Sequence, residues 1–62
     1  MNYILLTRIM LAKQMLVNEK MFITEISELC GFSSVSYFCR VFKNQTGEFP
    51  LVYRKKKLGI LT

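Results

Sequence analysis

The sequence has no histidine and only two cysteines, Cys30 and Cys39, in 62 residues. Four zinc ligands of the usual kinds cannot be assembled from that set, so neither a structural metal nor a cofactor is expected. With no histidine, no clustered pair of carboxylates and no glycine-rich phosphate loop, general acid–base and nucleophilic chemistry have nothing to work with. So short a chain also has little material for a substrate pocket, and an enzyme is not expected. Glycine and proline are scarce, at three and one, while 52% of residues are hydrophobic, which excludes a disordered tail. The opening segment lacks the basic start and small-residue cleavage site of a signal peptide. Arg8 and Lys13 interrupt it too early for a bilayer span, so the expected location is the cytoplasm, with both thiols reduced.

Acidic residues are also few, and their distribution matters more than their number. Residues 1–31 balance Arg8, Lys13 and Lys20 against Glu19, Glu25 and Glu28, whereas residues 32–62 set Arg40, Lys43, Arg54, Lys55, Lys56 and Lys57 against Glu48 alone. The whole net charge of +5 therefore lies in the second half. A cationic surface of that kind suits a polyanion. One domain is the most that this length allows, and it buries only about 60% of its unfolded surface, so its stability alone is expected to be marginal.

What is present is organised around GFSSVSYFCRVFKNQTG, residues 31–47. The pattern predicts one helix between two glycines, with Ser33 capping its start and Gly47 ending it. On a 3.6-residue period Phe38, Val41, Phe42 and Gln45 share one side, and Ser36, Arg40, Lys43 and Asn44 share the other. One side can be buried. The other carries donors and acceptors suited to base edges and phosphates. Ahead of it, Ile23, Ile26, Leu29 and Cys30 stand at core spacing on a second short helix that stops at Gly31 and Phe32. Two short helices joined by a glycine-containing turn are the sequence form of a helix-turn-helix.

The wording of residues 23–55 carries more than its period. Ile23, Glu25, Ile26, Gly31, Phe32, Ser33, Ser36, Tyr37, Phe38, Arg40, Phe42, Lys43, Gly47, Pro50, Tyr53 and Arg54 keep their spacing throughout. In this the chain resembles the second helix-turn-helix of the AraC/XylS family of bacterial transcription regulators. The resemblance implies an all-α, homeodomain-like helix-turn-helix of about four short helices. It further implies one partial DNA-binding domain, with a linker helix over 1–19, the helix-turn-helix over 23–47 and a C-terminal helix over 50–57. The family's first helix-turn-helix unit and its effector domain have no counterpart here. Double-stranded DNA is the implied partner, with the helix from Ser34 to Thr46 in the major groove, and RNA polymerase is a further implied partner.

The segment MNYILLTRIMLAKQMLVNEK is apolar nearly all round. Leu5, Ile9, Ala12 and Leu16 form a stripe expected to pack on the helix-turn-helix; Leu6, Met10 and Val17 form a second, and Ile4, Leu11 and Met15 a third. Two short helices and a tail cannot cover all three, so pairing of this helix with a second copy of itself is expected. Phe22 stands where the family most often has a capping Ser or Thr, which leaves Thr24 to cap or Phe22 to staple. Ser27 is small enough for a tight helix crossing, and its hydroxyl can reach a carbonyl one turn back. Pro50 is expected to open the last helix, preceded by Phe49 in place of a capping Thr, with Leu51 and Tyr53 closing the core.

Arg40 is the leading candidate for base readout, since a guanidinium can donate two hydrogen bonds to guanine O6 and N7; a phosphate contact is its competing role. Val35 and Ser36, in the first turn, are the other base candidates, with Val35 able to meet a thymine methyl. Ser33, Tyr37, Lys43, Asn44, Arg54 and Lys55 are candidates for the DNA backbone, Tyr37 being as well placed to cover the core edge. The competing function is an assembly module acting through the apolar first helix. A cationic membrane-surface peptide is disfavoured because the charges and the apolar stripes lie in different segments.

Overall fold

The computed structural model describes residues 3–59, which form four helices: α1 Tyr3–Leu16, α2 Ile23–Leu29, α3 Val35–Thr46 and α4 Pro50–Lys57. No strand occurs among the described residues. The expected core stripe of α1 is the one that packs, with Ile9, Ala12 and Leu16 buried and Leu5 half-buried against them. They meet Ile26 of α2, Cys30 and Phe32 of the following turn, and Phe38, Val41 and Phe42 of α3. Rings run through this core in sequence: Phe32 lies 5.0 Å from Phe38, Phe38 5.8 Å from Phe42, and Phe42 5.4 Å from Tyr53 of α4. Tilted and edge-on pairs of this kind add about 0.5 to 1.5 kcal/mol each beyond their burial. They tie the turn, α3 and α4 into one unit.

The turn between α2 and α3 follows from Gly31. Its φ of +85° lets the chain reverse, while the Phe32 amide donates to Ser27 O at 2.9 Å and the Gly31 amide to Glu28 O at 3.0 Å. These two bonds satisfy the end carbonyls of α2 and swing Phe32 into the core. The chain then needs one more extended residue than Ser33 provides. Ser34, not Ser33, is the N-cap of α3, with its side chain accepting from the Tyr37 amide at 3.1 Å. Gly47, also at φ +85°, ends α3 as expected, its amide donating to Lys43 O.

Three smaller expectations are corrected. Thr24 does not cap α2, because the helix already begins at Ile23; its start is held by Glu25 Oε1, which accepts from the Phe22 amide at 3.1 Å. Phe22 is 72% exposed and staples nothing. Leu51 is half exposed, so Tyr53, with the buried Pro50, closes that end of the core. Ser27 behaves as expected: it is buried and donates to Thr24 O at 2.8 Å. No helix of the described residues is long and apolar enough to cross a membrane.

Candidate nucleic-acid interface

Burial of Phe38, Val41 and Phe42 fixes which side of α3 faces outward. That side carries Val35, Ser36, Arg40, Lys43 and Asn44, all exposed, with Cys39 half-buried among them. Together with Phe49 these residues line an open groove of about 680 Å³ along the helix. The three base-contact candidates and two of the backbone candidates are thus gathered on one surface. Its polar rim offers one guanidinium, one ammonium, one amide and one hydroxyl, and among the described residues the ion pair formed is Lys56 with Glu48, outside this rim. The helix is twelve residues long and capped at both ends, which holds those side chains at fixed spacing.

Ser33, Tyr37 and Lys55 are exposed but lie outside the groove lining. Ser33 precedes the N-terminal end of α3, and Tyr37, 41% exposed, leans edge-on against Phe32 at 5.9 Å. Arg54 departs most from expectation. Its Nε donates to Leu16 O at 2.8 Å, and its Nη2 donates to Asn18 O at 3.2 Å and Met21 O at 2.6 Å. Three of its five donors thus hold the end of α1 and the turn into α2, which ties the guanidinium to the frame. Lys56 is likewise engaged, 2.7 Å from Glu48. The net positive charge of the second half therefore reaches the surface mainly through Arg40, Lys43, Lys55 and Lys57.

Sequence reasoning missed Phe49 as part of this surface. It belongs to no helical period, standing one residue ahead of Pro50 with an extended backbone at φ −68°. Its ring nonetheless lies 4.3 Å from Lys43 Nζ, a cation–π contact that positions the ammonium at the groove edge. Cys39, placed by its period beside the polar face, does line the groove. Burial pushes its thiol above the ordinary range, so it is neutral there.

A short helix, a left-handed glycine turn and a second helix with one buried and one cationic side make a helix-turn-helix module of the DNA-binding class. Comparison with known proteins agrees: the family described as "Helix-turn-helix domain" matches residues 1–56. The chain belongs to this family, in its AraC-type branch. It is 46% identical over 50 residues to the porin thermoregulatory protein EnvY of Escherichia coli, covering 81% of this chain and 20% of that protein. To the Msm operon regulatory protein of Streptococcus mutans it is 41% identical over 55 residues, covering 89% and 20%. To the HTH-type transcriptional activator RhaR of Cronobacter sakazakii it is 37% identical over 55 residues, covering 89% and 19%. The chain spans about a fifth of the length of the curated relatives it matches. No solved structure matches it.

Proposed function

We propose that the chain is a sequence-specific DNA-binding module of a transcription regulator, corresponding to the linker helix and second helix-turn-helix of an AraC-type domain. The observation that carries this reading is the groove itself. Val35, Ser36, Arg40, Lys43 and Asn44 converge on the exposed side of a helix whose opposite side is the core. In this reading α3 enters the major groove, Arg40, Val35 and Ser36 meet base edges, and Lys43 and Asn44 meet phosphates, joined by Ser33, Tyr37 and Lys55. Arg54 is left out of that set because three of its five donors are engaged inside the fold. The cytoplasm is the compartment in which such a module would meet DNA, and RNA polymerase is the partner through which a bound regulator would act.

One observation favours self-association beside DNA binding. Every exposed residue of α1, namely Tyr3, Ile4, Thr7, Met10, Leu11 and Gln14, is uncharged, and exposed Val17 continues the strip. Arg8 and Lys13 are both drawn to the half-buried flanks. An uncharged helical strip of this length suits pairing with a second copy. Assembly in place of DNA binding draws no support from the relatives, whose names describe regulators.

The direct test is anisotropy of labelled mixed-sequence duplex titrated with the protein and with Arg40→Ala at several salt concentrations. Binding should weaken linearly on a log–log plot, with a slope of about 0.9 per phosphate contact, and weaken further in the variant. Salt-insensitive or absent binding by a folded protein would refute the reading.

A further inference from the structure

The groove beside α3 has a side that hydrogen bonding to DNA does not explain. Val35, Cys39 and Phe49 line it with apolar groups, and Val35 and Phe49 stand 37% and 47% exposed. Phe49 reaches the groove from outside the helix-turn-helix, in a position where no side chain caps α4 and its ring stands about half exposed. Such a ring gains nothing from water. What it does gain is the Lys43 ammonium, 4.3 Å from its centroid, which draws the cation to the edge of the apolar wall. The half-buried Cys39 thiol completes an uncharged wall bordered by Arg40, Lys43 and Asn44.

That border selects the occupant. Cations and an amide facing the same opening call for a partner that is anionic on its rim and apolar at intervals. Among base pairs the C5-methyl of thymine is the apolar group on the major-groove edge, with phosphates on either side of the groove. We propose that Val35, Cys39 and Phe49 form a thymine-methyl subsite, and that Phe49 is the residue that sets this preference while holding Lys43 toward the phosphate. The inference rests on the DNA-binding reading above and adds a specificity to it.

The test compares a mixed-sequence duplex with the same duplex carrying deoxyuridine in place of every thymidine, a change that removes only methyl groups. The full chain should bind the thymidine duplex about threefold to fivefold more tightly, as expected for burying one methyl group. Phe49→Thr removes the ring but supplies a hydroxyl able to cap α4, so helix content should hold while the two duplexes become equal. Lys43→Met should lower the salt slope by about 0.9 and keep the preference for thymidine. Equal binding of the two duplexes by the unaltered chain, with the salt slope and the Arg40→Ala loss intact, would overturn this inference alone. A full preference retained in Phe49→Thr would overturn the role given to that residue. Absence of salt-dependent binding to either duplex would overturn the DNA reading and the inference together.

Discussion

Gly31 and Gly47 share a φ of +85° but not their surroundings. A Cβ on Gly47 would meet nothing within 4 Å, whereas one on Gly31 would lie 3.3 Å from Arg8 Cζ. Alanine at Gly47 should therefore cost backbone strain alone, about 1 to 2 kcal/mol, while alanine at Gly31 should cost that and displace the guanidinium that lies over the turn. Chemical denaturation of the two variants distinguishes the cases, and equal losses would show that Arg8 yields freely. The thiols give a pH prediction at the same scale. Burial raises both Cys30 and Cys39 above the ordinary value of 9.0, with Arg8 opposing the rise at Cys30. The folded thiol thus keeps a proton that the unfolded one has released, so this stabilisation is complete below about pH 9 and is lost as pH rises through the folded values. Melting between about pH 8 and about pH 10 should show a smaller decline in a Cys30→Ala, Cys39→Ala protein than in the unaltered chain.

At the scale of elements, two side-chain arrangements decide how the helices stand. Ser34 caps α3, so Ser34→Ala should cost about 1 kcal/mol while Ser33→Ala costs little in stability, a difference readable from the thermal midpoints. Arg54 joins α4 to the end of α1 and to Met21 by three hydrogen bonds to carbonyls. Lysine keeps the charge but cannot reproduce a fork that reaches three acceptors. Arg54→Lys should therefore destabilise by about 2 to 4 kcal/mol, taking hydrogen bonds to a charged group at about 1.5 to 3 each and allowing for partial replacement. In conditions where it is folded, Arg54→Gln, which removes the charge as well as the fork, should leave the salt slope on DNA unchanged; a slope reduced by about 0.9 would return Arg54 to the phosphate-contact set. These elements also show what the sequence can carry. The apolar stripe of α1, the Gly31 turn, the Gly47 end and the Pro50 start are local patterns, set by neighbours within one or two turns, and they were legible. The choice of Ser34 over Ser33 depends on how far Phe32 must travel to reach the core. Arg54 and Leu16 are 38 residues apart, and their bond exists only once the helices have packed. Phe49 was unreadable for the same reason, since its link to Lys43 crosses from a turn to a helix face and follows no period. Ser36, Arg40, Lys43 and Asn44 shared a face by period, and the structure gathers them, with Val35, along one groove.

For the whole molecule, the core and the uncharged strip make competing demands. The core consists of nine buried hydrophobic residues within a body whose radius of gyration is 10.8 Å. That is little material for independent stability, since domains of about 60 residues leave a large share of their surface in water. Meanwhile Ile4, Met10, Leu11 and Val17 stand 60%, 56%, 42% and 47% exposed along one helix. Pairing through that strip would transfer apolar area from water without using any residue that lines the groove along α3. Association linked to folding makes stability depend on protein concentration by mass action. The thermal midpoint should accordingly rise as the chain is concentrated, and the rise should vanish in Met10→Lys, which places a charge in the strip at an exposed position. Because the strip lies on α1 and the recognition groove on α3, the same variant should bind a single short duplex with an unchanged salt slope. A midpoint independent of concentration, together with sedimentation as a monomer at high concentration, would rule out the paired state and leave α1 as a scaffold for α3 alone.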